Sequence, residues 1–503
     1  MTAPASLSYP DWKAPADDGA ILIWPHPEAL VEQTRANRVA LSNASTVFIQ
    51  GESLAALRQS MRAWIGHHDP DRPLIMTGHQ AELHHPGVWA KNVLIDRLAQ
   101  KVDGAAYHVA VDTDEPKHLD IRWPGGSIPL TDDAHLRSSS WSGLVSPPTP
   151  QHLAFVKSRI SEVSRAWTFS PSVQTVLDSM QTLLLEAENL PGALTNALHQ
   201  FDWGLGLRHH ALLASPIFGS EPYLTFVHHV MANAGDFAAD YNASLADYRT
   251  HAGIKSGGRP MPDLRRLADM CESPFWLDYL STGRRERATL IDDAGIWMLQ
   301  VSDDAFRFDA KAPQHDAATA LTSFLRRHNV RLSPRALTLT MFLRMFVADQ
   351  FVHGIGGAQY DQVTDRLMLR HFQLSPPSFS VTTATLYFPD AVGRSRACFP
   401  CVRNEGHHLR HNLLGSHKAE LLQQIAAQPR RSFQRYELFS QMHNELEAAA
   451  RSSSLLRDWQ ARREQSELEA RVDAQYFDRE LFYMIQPRAR LELLIARYAA
   501  SLS

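Results

Sequence analysis

A chain of 503 residues with 44% hydrophobic and 21% charged content can bury a sizeable core, which argues against wholesale disorder and fits two to four domains or one large α/β core with additions. A net charge of −4 leaves no electrostatic footprint for general nucleic-acid binding, and three cysteines exclude a disulfide scaffold. No apolar run approaches the roughly 18 residues of a membrane helix, and Met1 to Ala20 lack a basic segment followed by an apolar one. A soluble, cytoplasmic protein that acts on small molecules is therefore expected.

In chain order, Ile21-Leu22-Ile23 suggests a short strand, and helical spacing is visible from Leu30 to Leu41 and from Leu54 to Ile65. Pro73 to Gly78 is a short apolar run ending in Thr-Gly, as in a buried parallel strand that stops at a tight turn. Pro86-Gly87 opens a helix carrying Val88, Trp89, Val93, Leu94, Leu98 and Val102. Ala105 to Val111 is a second apolar strand, followed by Asp112, Asp114 and Glu115. This is a strand–helix–strand unit, the crossover that a parallel pair requires. Ligands of open α/β sheets sit at the carboxyl ends of the strands, where Thr77–Gln80 and Asp112–His118 both fall.

Pro-, Gly- and Ser-rich sequence fills residues 124–150. Helices are expected over about 151–165, 171–188 and 191–199, a strand over 211–218, and one long helix from Tyr223 to Tyr248. Phe275–Leu277 and Ile296–Leu299 resemble strands. Gln350 to Tyr360 reads as a strand, a glycine turn and a helix start, with Gly354, Gly356 and Gly357 after His353. Beyond about residue 400 the pattern is almost wholly helical, without a sustained heptad register, and these helices are a candidate homodimer surface.

Four groups of residues suggest chemistry. Thr77, Gly78, His79 and Gln80 suit a phosphate or adenosine at a helix entrance, or form only a polar turn. Asp112, Asp114 and Glu115 suit a shared cation or proton, or a solvated acidic turn. Only 8 of the 50 basic residues are lysines, so Lys91 and Lys117 stand out as point charges for a phosphate. The fourth group is Cys398 and Cys401 with His407 and His411, a spacing that zinc can use, although a single CxxC is also found as two ordinary thiols.

The stretch Thr77-Gly78-His79-Gln80-Ala81, with Lys91 on the next helix and the strand Val109–Glu115, resembles the bacillithiol biosynthesis cysteine-adding enzyme family, which carries Thr-Gly-Gln-Gln-Ala and an acidic-histidine strand end. Leu332-Ser333-Pro334, the apolar run Thr340 to Asp349, and Val352–Gly357 with Tyr360 follow in the family's order over about residues 70–380. The departures are His79 for a glutamine, a rearranged acidic cluster, and Gly357 for the turn glutamate.

The resemblance implies a Rossmann-like, nucleotidyltransferase-like α/β core over about residues 1–395, with helical insertions at about 140–330 and a helical region from 396 to 503. It further implies a ligase that joins an activated carboxylate to an amine with ATP or another adenine nucleotide and Mg²⁺. In that reading His79, Asp112, Asp114, Glu115 and Lys117 are catalytic. Thr77, Gly78, Gln80, Lys91, His353, Gly354, Gly356 and Gly357 bind the cofactor. The alternatives are a nucleotide or metabolite binder without catalysis, and a zinc-supported interaction protein.

Overall fold

The computed structural model describes residues 9–184, 186–258, 261–391 and 399–503. The protein is mixed α/β and divides into two compact units. The larger runs to residue 122 and continues over 127–386 and 479–503; the smaller comprises 123–126 and 387–478.

The main sheet of the larger unit has six strands: β1 (Ile21–Trp24), β2 (Leu74–Gln80), β3 (Ala105–Val111), β4 (His210–Leu213), β5 (Gln350–His353) and β6 (Ser380–Ala384). Their order is β1-β6-β5-β2-β3-β4. Every neighbouring pair is parallel except β1 with β6. The chain steps outward from β2 to β3 and β4, then returns to the other side of β2 for β5 and β6, so the direction of winding reverses between β2 and β5.

Local sequence accounts for the elements around this reversal. Helix α1 (Leu54–Trp64) is capped by Ser53, whose side chain accepts from the Ala56 N–H at 3.3 Å, and buries Leu54, Leu57 and Met61. Helix α2 (Pro86–Val102) starts with proline at its first position and is capped by the His85 ring, which accepts from the Gly87 N–H at 3.1 Å. Its Trp89, Val93, Leu94 and Leu98 are fully buried, and Asp103 in the left-handed conformation ends it. Helix α3 (Leu190–Gly204) precedes β4, α4 (Ala336–Phe346) precedes β5, and α5 (Ile355–His371) follows β5 directly.

The region expected to be a helical insertion also contains a second sheet. Five antiparallel strands lie in the order Asp304–Phe308, Ile296–Val301, Arg284–Asp293, Met270–Tyr279 and Val330–Pro334. The expected strands Phe275–Leu277 and Ile296–Leu299 lie within two of these five, and buried charges extend the first beyond its apolar centre. Glu272 and Asp278 on Met270–Tyr279 point inward because Arg335 holds the first at 2.6 Å, while Arg285 and Arg331 hold the second at 2.6 and 3.0 Å. The single helix expected from Tyr223 to Tyr248 is two, Glu221–Ala232 and Ala234–His251, separated at Asn233.

The last helix, α6 (Arg488–Leu502), belongs to the larger unit, where it buries Leu491, Leu494, Ile495 and Tyr498. The Tyr498 hydroxyl lies 2.6 Å from the Thr382 hydroxyl on β6. The helical region expected over 396–503 therefore ends at residue 478 as a compact unit. Within that unit, Phe399–His411, Gly415–Ala427, Phe433–Ser452 and Ser454–Tyr476 are helices, with Leu421, Ile425 and Met442 forming a small core.

Candidate functional site

The carboxyl ends of β2 and β5 lie side by side. Thr77 pairs in register with Val352, and the Thr77 hydroxyl donates to the Val352 carbonyl at 2.7 Å. This places the Thr-Gly-His-Gln corner and the His-Gly-Ile-Gly-Gly corner on one edge of one sheet. Thr77 is fully buried and its hydroxyl is used in this bond, so it holds the edge together and does not face a ligand.

Four ionisable groups converge beside that bond. The Lys91 ammonium reaches back from α2 and donates to the Gly78 carbonyl at 2.7 Å. It is 4% exposed, and burial pushes the amine down to about 7, with Glu82 opposing the shift. Burial pushes the Glu82 carboxyl up to about 7, against the pull of Lys91. His79 Nδ1 lies 3.2 Å from Glu82, and burial together with the charge of Lys91 keeps this ring neutral. His84 bonds the Gln80 carbonyl at 3.0 Å, and burial lowers it to about 4. Glu82 was absent from the sequence-level candidates. The turn after β2 brings it beneath His79, and its only sequence signal was a carboxylate within the Ala81–His85 turn.

The acidic trio does not converge. Asp112 accepts the Ser215 N–H at 2.8 Å and the Ser215 hydroxyl at 2.5 Å, so both its oxygens anchor the turn after β4, and its expected catalytic role gives way to a structural one. Asp114 accepts from the Gln80 side-chain amide at 2.8 Å, and Glu115 forms an exposed ion pair with Lys117 at 3.3 Å. With each carboxylate held by a different partner, the trio does not offer a Mg²⁺ ion a common set of ligands. Among the described residues, no three His, Cys, Asp or Glu are grouped to hold a metal ion.

On the β5 side, Gly354 precedes α5 without any side-chain cap, and Gly356 and Gly357 are exposed in its first turn. A β-carbon at Gly354 or Gly356 would meet nothing within 4 Å, so there is open space beside this turn. His353, 6% exposed, donates from Nε2 to Asp361 at 2.8 Å, and its Nδ1 faces Gly357. Beneath it, Arg344 lies 2.5 Å from Asp361 and 2.6 Å from Asp365. Burial opposes ionisation of Asp361, but Arg344 and His353 hold its carboxyl below the usual range. This ion cluster fixes the tautomer and orientation of His353. The carboxylates on the helix after the glycine turn were visible as residues that could line a pocket, but their partner Arg344 sits in a largely apolar helical run.

Behind β3 lies a small polar cavity, with about 20 Å³ open to the centre of a water molecule, between α2, α3 and β4. His84, His108, His199 and His209 line it with Asp202. Asp202 accepts from the Trp89 indole at 2.9 Å, Asn92 at 3.3 Å and the Tyr483 hydroxyl at 3.3 Å, while burial pushes its carboxyl up to about 7. His108 Nδ1 lies 2.7 Å from the Asn92 carbonyl oxygen.

Of the zinc candidates, Cys398 lies outside the described residues. Cys401, His407 and His411 fall on a helix and not in a loop, and Lys418 donates to His411 Nδ1 at 2.9 Å, which occupies that lone pair. No family model and no curated protein matches the chain.

Proposed function

We propose that the protein is a ligase that activates a carboxylate with an adenine nucleotide and joins it to an amine, as the resemblance to the bacillithiol cysteine-adding family implies. The observation that carries this reading is the meeting of two corners where the winding of the parallel sheet reverses, fastened by the Thr77–Val352 hydrogen bond. Taking only the parallel strands, the order corresponds to the 3-2-1-4-5 sequence of Rossmann-like sheets, whose ligands bind at this reversal.

The open first turn of α5, with Gly356 and Gly357 exposed, fits a phosphate group, because unshielded N–H groups and the helix dipole favour an anion there. Nucleotide chemistry supplies the activation that a free carboxylate lacks, since neither AMP nor phosphate can be displaced until it has been attached. The chain's own residues would then handle the amine. An ammonium nucleophile must lose a proton before it attacks, and a buried carboxyl near 7 beside a neutral imidazole is suited to accept it. Glu82 is that base in this reading, and His79 orients it. Lys91, close to neutrality itself, offers a charge that strengthens as phosphate develops nearby.

Calorimetric titration with ATP is the first test. Wild type should bind, and Gly356→Asp, which sets a carboxylate at the helix start, should weaken binding by at least about tenfold. Incubation with ATP, Mg²⁺ and an amino-acid pool should release AMP or ADP. The rate should rise as pH passes about 7 and Glu82 ionises, and Glu82→Gln should lower it by about a hundredfold or more. Absence of ATP binding to wild type, or equal binding by Gly356→Asp, would overturn the reading.

A further inference from the structure

The smaller unit contains a cavity of about 450 Å³ between its helices, well removed in sequence from the residues of the sheet edge. Its floor is apolar. Trp459 and Leu456, 5% and 7% exposed, form it with Leu446 and Ala450. Trp459 is fixed from behind: its indole N–H donates to the Val402 carbonyl at 2.7 Å, and its ring lies against Gly406, where a β-carbon would come within 2.0 Å of it. The floor is therefore a rigid aromatic surface and not a gap that neighbouring side chains can close.

The wall carries the opposite chemistry. Arg410, Lys418, Arg451 and Arg457 line the cavity, and among the described residues Glu447 is the one carboxylate that lines it. Glu447 is taken up by Arg451 at 3.1 Å. Lys418 is bonded to His411 Nδ1 and the His411 carbonyl at 2.9 and 2.8 Å, neither of which carries negative charge, so no described carboxylate neutralises it there. Among the described residues Arg457 donates to the Arg451 carbonyl at 3.4 Å, and the Arg410 guanidinium stands 5.8 Å from the centre of the Trp459 ring. A net positive wall above an apolar floor is complementary to one kind of molecule. A neutral apolar ligand leaves the cations unused, and a small inorganic anion leaves the floor wet.

We propose that this cavity binds an amphiphilic organic anion, a carboxylate or phosphate head on an apolar body, with the body against Trp459 and Leu456 and the head between Arg410 and Arg457. The volume is in the range of pockets that enclose small organic ligands. The inference is independent of the ligase reading, since it uses none of the residues at the sheet edge.

The test uses the full-length protein and four probes below their micellar concentrations: decanoate, decyl phosphate, decanol and inorganic phosphate. Calorimetry should show saturable binding of decanoate or decyl phosphate, with decanol weaker by about tenfold or more and inorganic phosphate silent. The relative affinity of the first two identifies the head group. Ala450→Trp, which fills the cavity, should abolish binding, and Arg457→Glu should weaken it by about tenfold or more, with both variants keeping the wild-type circular dichroism. Failure of both amphiphiles to bind, decanol binding as well as decanoate, or undiminished binding by Ala450→Trp would each overturn the proposal. Sedimentation of the ligand-free protein adds a further condition. If wild type is a dimer that Arg457→Glu dissociates, a second copy of the chain occupies this face, and the small-molecule assignment falls.

Discussion

Replacing Asp349 by alanine is expected to destabilise the fold by about 3–5 kcal/mol, because it strands two buried guanidinium groups. Asp349 lies just before β5, at the amino edge of the sheet opposite the candidate site, and is 1% exposed. Arg58 and Arg62, one turn apart on α1, contact its two oxygens at 3.0 and 2.5 Å. The Leu74 N–H at the start of β2 donates to the same carboxylate at 2.8 Å, and the Asp349 N–H returns a bond of 2.8 Å to the Leu74 carbonyl. The guanidinium groups are otherwise bonded to the Met345 and Val347 carbonyls at 2.6 and 2.9 Å, which satisfies donors but cancels no charge. Removing the carboxylate thus leaves two cations in a medium that solvates them poorly. Asp349→Asn should be milder, since its amide oxygen can still accept from Leu74, but the unbalanced charge remains. Urea unfolding of the three proteins measures the series, and a loss below about 1 kcal/mol for the alanine variant would show that water reaches the arginines.

Acidification is expected to unfold the protein well above the pH at which most carboxylates titrate. Burial holds five imidazoles far below their ordinary value: His84, His228 and His229 at about 4, and His85 and His209 at about 3. Each contributes stability that is present above the unfolded value near 6.5 and is lost as pH falls toward its folded value. Glu82 and Asp202 act in the opposite sense. Burial raises both to about 7, so their contribution is greatest below about 4 and is lost as pH rises through 7. Between about pH 6.5 and 4.5 the five imidazoles outweigh the two carboxyls by three protons, which corresponds to a slope of roughly 4 kcal/mol per pH unit at its steepest. Stability measured in urea should fall sharply from pH 7 to 5.5, with cooperative unfolding by about pH 5. Equal midpoints at pH 7.5 and 5.5 would mean that these rings are hydrated in solution and do not titrate as buried groups.

Several features of this molecule were determined by local sequence alone. The Pro73–Val111 unit could be read because apolar runs, a proline at the first helical position and a glycine at the strand end act over a few residues. The turn after β5 was legible for the same reason: three glycines in four positions disfavour a continuing strand and leave a helix start whose first turn carries few side chains of its own. What tertiary structure decided is which polar side chains remain available for chemistry. Asp112 was a candidate base until Ser215, 103 positions away, took both its oxygens. Thr77 was a candidate ligand contact until β5 arrived from 275 residues along the chain and accepted its hydroxyl proton. Glu82 became a candidate only when the fold buried it beside His79 and within the field of Lys91, and His353, already a candidate, had its orientation set by Asp361. Backbone conformation is governed by near neighbours in the chain, whereas the ionisation and hydrogen bonding of a side chain depend on the desolvation and fields of whatever the fold packs against it.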